Sequence, residues 1–459
     1  MTRSDIAASP LTDRLPAVLG DRLITAAHEE FAPLAATTFT GDDRTPEVIA
    51  RPRNAAETAE VVRLAAEGAI PFAVRGGGHA YHRRSSVAGG LVLDTRLLDG
   101  IDLDPDARIG RAGGGVLAGA YTTAAGAFGL ATGFGDTGSV GVAGLTLGGG
   151  IGHLSRRDGL AIDNLLAAEL VLADGRVVRA SADEHDDLFW ALRGGGGNFG
   201  VVTALEFRLH PTATIVGGFL AFESSPDVLA ALVRAGQEAP DTLSVMVNAM
   251  LAPPAPFLPV EVHGRPIVAA LVCFSGAPED ADAVLAPLRA AGTPIADLVR
   301  PQAYPELFAG PPAPSGLRAS IRTGFRDELD PAWAAAALDA IGTAATPGAI
   351  VNVRVMGGAI GRVDADATAF AHRDRGLMVT VVGSQPDPNG ADGREWVDAT
   401  AGRLGVATGG SYVNFIGDDD PDGAAAAYPE ATLQRLAEVK RRYDPENLFR
   451  SNHNIAPQG

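Results

Sequence analysis

PFAVRGGGHA, residues 71–80, is the stretch that decides the fold of this 459-residue chain. It joins an apolar strand to three consecutive glycines and to His79. Upstream, residues 48–50 predict a short strand, and Asn54 with Glu57 three positions later has the spacing of a helix-initiating capping box. The glycines therefore follow a strand–helix–strand unit. In a Rossmann fingerprint or a P-loop they would lie between a strand and the helix that they open, so both nucleotide motifs are disfavoured.

Two further glycine-rich loops follow in the first half of the chain, at residues 141–152 and 194–200. Because glycine has no side chain, consecutive backbone N–H groups can converge on a phosphate. Three such loops between strands predict a large phosphate-bearing ligand that is held mostly by backbone donors. The alternative is that each loop only connects two strands.

His79 ends the first of these loops. An imidazole there, neutral for much of the time near pH 7, would lie beside the proposed ligand with room for nucleophilic attack. The alternative is a histidine with a structural role. His82 offers a second imidazole, but a metal site needs further ligands and none lies nearby in the sequence, so we expect no metal.

The composition narrows the classes of partner. Lys and Arg total 37 against 55 Asp and Glu, a formal net charge of −18. Such a surface repels phosphate backbones and anionic lipid, so we expect neither nucleic acid nor membrane as a partner. The first 20 residues lack the apolar core of a secretory signal, and Cys273 is the single cysteine. We therefore expect a soluble, cytoplasmic protein without intramolecular disulfides.

The pattern of predicted strands and helices changes after residue 211. Residues 165–173 and 176–180 predict a hairpin with a two-residue turn at Asp174-Gly175, whereas the following part predicts an α+β domain with a mainly antiparallel sheet. The final segment predicts a strand at 411–416 and a helix at 431–443. The strands predicted for the middle part are residues 215–222, 243–251, 267–274, 317–324, 350–356 and 377–382.

A family resemblance accounts for the loops and their order. Residues 74–79 resemble the histidyl-FAD attachment motif of the berberine-bridge-enzyme-like branch of the vanillyl-alcohol-oxidase and p-cresol-methylhydroxylase flavoproteins. Residues 140–164 resemble its second flavin loop and residues 194–203 its third. At the far end, residues 412–414 and 440–449 resemble its C-terminal segment. The resemblance covers most of the chain, and the middle part matches more weakly, with Phe370 to Arg373 its most recognisable piece.

The resemblance implies FAD as the cofactor, bonded covalently from His79 to the 8α carbon of the flavin. Many members attach FAD a second time through a cysteine, but that position is Thr137 here, which implies a single bond as in the singly linked bacterial members. The implied cofactor-binding residues are Arg75, Gly76, Gly77, Gly78, His79, Ala80, Thr137, Gly138, Val140, Gly141, Gly144, Gly148, Gly152, Gly200, Val202, Tyr412, Asn414 and Asn452.

Tyr412 occupies the place where several relatives keep an active-site tyrosine, so it is the implied catalytic residue. A phenol with a reference pKa of about 10 is a poor base at pH 7 unless its surroundings stabilise the phenolate. Its other possible role is to orient the substrate by a hydrogen bond, and a third alternative is a tyrosine on a sheet face without a role in the reaction. His372 and Arg373 either border the substrate pocket or belong to a structural hydrogen-bond network.

We therefore expect an α+β, two-domain FAD-linked oxidase fold. Residues 1–210 would form the FAD-binding domain, completed by residues 416–459, and residues 211–415 a central antiparallel-sheet substrate-binding domain. The expected activity is that of an FAD-dependent oxidase that takes a hydride from an alcohol, amine, sugar or natural product and passes the electrons to O2, forming H2O2. The alternatives are a flavin dehydrogenase with another electron acceptor and a non-catalytic flavin-binding protein.

Overall fold

A computed structural model describes residues 10–41, 44–310, 315–387, 390–418, 420 and 423–457 as a mixture of helices and strands. Short 3-10 turns connect many of them. The α-helices span Pro10–Leu19, Phe31–Ala35, Ala55–Glu67, Ala118–Gly126, Val142–Leu147, Ser155–Asp158, Asp186–Leu192, Pro226–Glu238, Ala281–Arg289, Pro331–Gly342, Arg394–Arg403, Gly423–Ala427 and Glu430–Tyr443.

The predicted strand–helix–strand unit builds a four-stranded sheet. Asn54 caps the helix Ala55–Glu67 by accepting the Glu57 N–H at 2.9 Å, as predicted. The reciprocal half of the capping box is not formed, because the Glu57 carboxylate pairs with Arg22 and accepts the Arg53 N–H instead. Leu91–Asp94 pairs in parallel with Val48–Ala50 on one side and with Phe72–Arg75 on the other. In space the strands follow the order Leu23–Thr25, Val48–Ala50, Leu91–Asp94 and Phe72–Arg75.

An antiparallel five-stranded sheet stands beside this unit. The predicted hairpin is present, but its turn is one residue longer than predicted, because Leu172 donates its N–H to the Arg176 carbonyl at 2.9 Å. Gly175 takes φ of +81° there, the left-handed position that ends a three-residue hairpin loop. The strands follow the order Val177–Ser181, Leu165–Val171, Val201–Arg208, Ile109–Gly113 and Ile101–Asp104. A two-stranded ribbon joins Leu130–Ala131 to His210–Pro211.

The middle of the chain forms a nine-stranded sheet, and its predicted antiparallel character is confirmed. Its one parallel pair joins Phe39–Thr40, from the N-terminal part, to Leu317–Arg326. Arg300–Ala303 pairs with Thr214–Glu223 beside the main path. The other strands follow the order Pro294–Asp297, Thr214–Glu223, Pro266–Phe274, Leu243–Leu251, Ile350–Val355, Leu377–Gln385, Leu317–Arg326 and Phe39–Thr40.

The two faces of this sheet differ in character. Side chains alternate between the faces of a strand. In Ile350–Val355, the valines 351, 353 and 355 belong to the apolar core that also contains buried residues of the helices Pro226–Glu238 and Pro331–Gly342. Asn352 and Arg354 therefore project from the opposite face of the sheet.

The strand predicted at residues 411–416 is wrong. Val413–Phe415 forms a 3-10 turn in which Phe415 donates its N–H to the Tyr412 carbonyl at 2.8 Å. Ser411 donates its N–H to Ala426 rather than to a neighbouring strand. Alternating apolar residues suggested a strand, but side-chain contacts to the second glycine loop, described below, determine the local backbone.

A buried ion pair connects the final helix to the third glycine loop. Lys440, the only lysine of the chain, is fully buried and lies 2.6 Å from the Asp444 carboxylate. Its ammonium also donates to the carbonyls of Asn198 and Phe449, at 2.8 and 2.9 Å. Asp444 in turn accepts the Phe449 N–H at 2.9 Å. The charges are thus fully hydrogen-bonded, which is the condition for burying an ion pair at tolerable cost.

Replacing Lys440 by methionine is expected to lower the free energy of unfolding by about 3–5 kcal/mol, because Asp444 would stay buried without its counter-charge. Denaturant unfolding followed by circular dichroism measures this loss. Arg442→Met on the same helix is the control, since Arg442 is 67% exposed where it pairs with Asp187. That variant should lose less than about 1 kcal/mol. Equal losses in the two variants would refute the structural role given to Lys440.

Candidate active site

The three predicted glycine loops meet around one cavity of about 360 Å³. The first loop contributes residues 76–78, the second Gly141 and Gly144, and the third residues 196–198 and Gly200. The C-terminal segment adds residues 451–453 to the wall. Loops that are distant in sequence therefore line a single site.

The first and second loops touch through their backbones. A Cβ atom on Gly77 would lie 2.3 Å from the backbone nitrogen of Gly141, and one on Gly141 would lie 2.6 Å from the nitrogen of Gly77. Only glycine permits so close an approach at both positions. The approach keeps His79, two residues after Gly77, beside the second loop.

His79 is a half-buried imidazole on the cavity wall. Burial lowers its pKa below the ordinary value, and a hydrogen bond to the backbone of Ser139 offsets this in part. The imidazole is therefore largely neutral near pH 7, with a nitrogen lone pair that can act as a nucleophile. Thr137 has no such property, and its hydroxyl donates to Asp136 at 2.8 Å.

Tyr412 lies against the second loop with its hydroxyl oxygen accepting two hydrogen bonds. The Gly150 N–H donates to it at 3.0 Å and the Asn414 side-chain amide at 2.9 Å. The same amide donates to the Leu145 carbonyl at 2.9 Å. Burial raises the pKa of Tyr412, and the two donors, the Ile151 backbone and the charge of Arg354 offset only part of this rise. At neutral pH the phenol keeps its proton, and because both acceptor positions are filled the O–H is free to point elsewhere.

The C-terminal part of the wall carries buried acceptors that have no protein partner among the described residues. Asn452 donates to the carbonyls of Gly197 and Phe449 at 3.0 Å, but its Oδ1 is unsatisfied. The Nε2 atom of His453 is unsatisfied as well. Its ring lies edge-on to that of His82, with 4.4 Å between the centroids. Burial and then the charge of Arg84 lower the pKa of His453 to about 4, so it is neutral.

These features fit a long ligand with polar and phosphate groups, such as FAD. Glycine loops offer backbone N–H groups to a pyrophosphate. The unsatisfied acceptors of Asn452 and His453, together with the unsatisfied Ser85 hydroxyl, would gain partners on a polar ligand. The apolar side chains of Phe72, Val202 and other residues supply walls for flat rings.

Most of the residues implied by the resemblance lie on this wall. Arg75 does not: it is buried, and its guanidinium donates to the carbonyls of Ser85 and Leu34 behind the first loop. Gly138, Gly148 and Gly152 also lie off the wall, Gly148 directly against Asn414. On the wall are Gly76, Gly77, Gly78, His79, Ala80, Thr137, Val140, Gly141, Gly144, Gly200, Val202, Tyr412, Asn414 and Asn452.

His372 and Arg373 lie outside the cavity wall, in a structural network. Arg373 is buried, lies 2.6 Å from the Asp163 carboxylate and donates to Thr368 at 2.8 Å. The His372 ring stacks on Phe325 with 4.5 Å between centroids. His372 also bonds to the Ala427 carbonyl at 3.0 Å, so both residues belong to a structural hydrogen-bond network, the second of the two roles left open by the sequence.

Sequence reasoning missed several residues of the wall, and five of these matter for the chemistry described below. They are aromatic or charged, and they come from five separate parts of the chain. Two of them could have been found from the sequence. Asp136 directly precedes Thr137, an implied cofactor-binding residue, and Arg354 is a charged residue within a strand of alternating valines. The five are Phe39, Tyr81, Asp136, Arg354 and Phe415.

Two absences among the described residues bear on function. In the described part of the chain, no three His, Cys, Asp or Glu side chains are grouped as a metal site requires. None of the helices described has the length and apolar character that a membrane crossing demands.

Comparison with protein families and curated proteins agrees with this geometry. A family model for the FAD binding domain matches residues 46–181, and a model for berberine and berberine-like proteins matches residues 411–456. The (R)-6-hydroxynicotine oxidase of Paenarthrobacter nicotinovorans is 34% identical over 435 residues, covering 90% of this chain and 92% of that protein. An FAD-linked oxidoreductase of Bacillus subtilis, YgaK, is 29% identical over 454 residues, covering 96% and 97%.

Solved structures resemble the whole chain. The 6-hydroxy-D-nicotine oxidase of Arthrobacter nicotinovorans has a TM-score of 0.85 at 29% identity, covering 95% of this chain and 98% of that one. A chitooligosaccharide oxidase has a TM-score of 0.82 at 22% identity, covering 97% and 100%, a likeness of fold alone. The fold expected from the sequence is confirmed.

Acidification is expected to destabilise the protein through His453. Its folded-state pKa of about 4 lies below the ordinary value of 6.5, so the unfolded state binds the proton first as pH falls. Stability is therefore lost between about pH 6.5 and 4, by up to about 3 kcal/mol for this group. Melting temperatures of the wild type and His453→Asn, measured from pH 7.5 to 5, should converge on acidification. Parallel curves would contradict the assignment.

Proposed function

Because this chain belongs to the berberine-bridge-like FAD-linked oxidoreductases, we propose that it is an oxidase that uses O2 to oxidise a small organic molecule. One observation carries the proposal: the Tyr412 hydroxyl is held by the Gly150 N–H and the Asn414 amide on the wall that three glycine loops share. A proton-bearing group is thus fixed in the same cavity as the residues that fit FAD. When bound, FAD supplies the acceptor for a hydride and passes the electrons to O2 as H2O2.

We further propose that His79 carries the flavin covalently. Its imidazole is neutral near pH 7 because burial lowers its pKa, and the bond to the Ser139 backbone orients the ring. The second loop offers Thr137 in place of a second nucleophile, with its hydroxyl engaged by Asp136. A single covalent bond is therefore expected. The residues that would hold the remainder of the cofactor are the backbone of the three loops and the side chains of Asn452 and His453.

Tyr412 orients the substrate in this proposal. Its pKa is raised by burial, so at neutral pH it holds its proton at Oη and cannot serve as a base. The two donors on its oxygen direct the O–H away from Gly150 and Asn414. The hydroxyl then donates to an oxygen or nitrogen of the substrate and holds the reacting carbon in place.

The proposed domain division follows the sheets. Residues 1–210 and 416–459 would form the FAD-binding domain and residues 211–415 the substrate-binding domain. The nine-stranded sheet supports the substrate-binding domain, since eight of its nine strands lie between residues 214 and 385. Phe39–Thr40 is the exception, because this short strand extends the central sheet from the other unit.

His79→Ala is expected to lose the covalent flavin. Mass spectrometry of the denatured wild type should find the added mass of FAD, and the variant should lack it. His82→Ala is the matched control, because His82 lines the same cavity three residues later and should leave the added mass in place. A wild type that is yellow when native but carries no added mass would refute the covalent bond without refuting FAD binding.

Peroxide release measured across alcohols, amines and sugars tests the oxidase proposal, and Tyr412→Phe tests the role of the phenol. Loss of one orienting hydrogen bond should lower kcat/KM by about 10-fold without changing the pH profile. If Tyr412 were instead the base, the substitution would lower kcat/KM by about 10²–10⁴-fold and remove a limb of that profile.

Substrate-driven bleaching of the flavin without peroxide release would favour a dehydrogenase. The absence of bleaching with every compound would favour a binding protein.

A further inference from the structure

One ion pair stands out in the cavity. Arg354 Nη2 lies 2.6 Å from Asp136 Oδ2, and the two side chains are 12% and 23% exposed. Among the described residues that line the cavity, they are the only Asp, Glu, Lys or Arg. The remainder of the wall is made of glycine, apolar, hydroxyl and amide groups and neutral imidazoles. Formal charge in this site is therefore concentrated at one point.

The pair joins the two halves of the molecule. Arg354 projects from the inner face of the nine-stranded sheet, since its neighbours Val353 and Val355 face the helices on the outer side. Asp136 lies shortly before the second glycine loop, beside Thr137. The guanidinium thus reaches from the central sheet into the cavity that the loops line.

Aromatic rings flank this charge. The Arg354 guanidinium carbon lies 5.3 Å from the ring centroid of Phe415. That ring lies edge-on to both Tyr81 and Tyr412, at 5.8 and 5.1 Å between centroids. Tyr81 in turn stacks on Phe39 at 4.1 Å. A flat ring entering beside Tyr412 would meet aromatic faces and the guanidinium together.

The Asp136–Arg354 pair has more hydrogen-bond donors than acceptors. Asp136 uses one oxygen for the Thr137 hydroxyl and the other for Arg354. Burial alone would raise its pKa, but the charge of Arg354 overcomes this effect and the carboxyl stays ionised. A guanidinium has five N–H donors, and the contacts described for Arg354 engage only one of its nitrogens. Its planar fork suits carboxylate and other anionic oxygens.

We propose that Arg354 determines substrate specificity by binding an anionic oxygen, a carboxylate or phenolate, on an aromatic substrate, while Asp136 holds the guanidinium in position. The inference rests on the proposed oxidase function, since it names the substrate class of that site. The Tyr412 hydroxyl and the Arg354 guanidinium then contact two different polar groups of one substrate. The competing arrangement, a cationic amine held by Asp136, places the opposite charge at the same point.

Isothermal titration of the flavin-loaded protein with three matched probes distinguishes these arrangements: benzoate, benzamide and benzylamine. Benzoate should bind at least 10-fold more tightly than benzamide at pH 7.5. Arg354→Met should weaken benzoate at least 10-fold and leave benzamide unchanged, and Arg354→Lys should retain part of the affinity. Asp136→Asn should tighten benzoate binding, because the amide oxygen can still accept the guanidinium N–H and keep it in position while the competing negative charge is removed. Arg362→Met is the control, an arginine that is 62% exposed and paired with Asp241.

Several outcomes would overturn the proposal. One is equal affinity for benzoate in the wild type and in Arg354→Met; another is no benzoate binding to the wild type. A third is tight benzylamine binding that Asp136→Asn abolishes, which would assign recognition to the carboxylate. Flavin absorbance and the melting temperature establish that each variant is loaded and folded. If Arg354→Met fails to fold, Arg354→Lys and Asp136→Asn still decide the question.

The oxidase proposal fails separately. Titration requires no turnover, so benzoate binding through Arg354 in a protein that releases no peroxide with any compound would leave this subsite intact and refute the oxidase. Peroxide release from a neutral or cationic substrate, with kinetics unchanged in Arg354→Met, would refute only the specificity role.

Discussion

The backbone contact between Gly77 and Gly141 is the constraint on which the site depends. It brings the first loop into contact with the second, so that the two loops form adjoining walls of the cavity. It also places His79 next to Ser139. The buried Lys440–Asp444 pair has the same function at the third loop, where one ammonium holds the Asn198 carbonyl and the C-terminal segment. The first constraint is steric and the second electrostatic, and together they join four segments that are far apart in sequence.

Burial determines the protonation states in the cavity. It lowers the pKa of His79 and His453 and raises that of Tyr412, so these groups are neutral near pH 7. A chain with a formal charge of −18 thereby lines its binding site with neutral donors and acceptors. The Asp136–Arg354 pair is the exception, and its ionic character is preserved because the two charges stabilise each other. Selectivity for the charge of a substrate can therefore arise from a single position.

Sequence reasoning was accurate where local physical chemistry decides the structure. The Asn54 cap, the strands before and after its helix, and six of the nine strands of the central sheet were found close to their observed ends. It did not predict the short strands Pro294–Asp297 and Arg300–Ala303. It failed at residues 411–416, where the pattern resembled a strand but Tyr412 and Asn414 bond to the second loop, which is more than 260 residues away in the sequence. It also missed that Phe39–Thr40 extends the central sheet, since two residues carry no periodicity.

By itself, the sequence determined the order of the loops, the neutral ligand-binding character of their backbone and the candidate His79, because glycine spacing and motif order are local properties of the chain. Tyr412 became a candidate through the family resemblance. Only the tertiary structure decided which of the eighteen implied residues share one wall, that Tyr412 accepts two donors, and that Asp136 meets Arg354. These are contacts between segments far apart in sequence. They depend on the packing of the central sheet against the loops, and no short-range pattern encodes that packing.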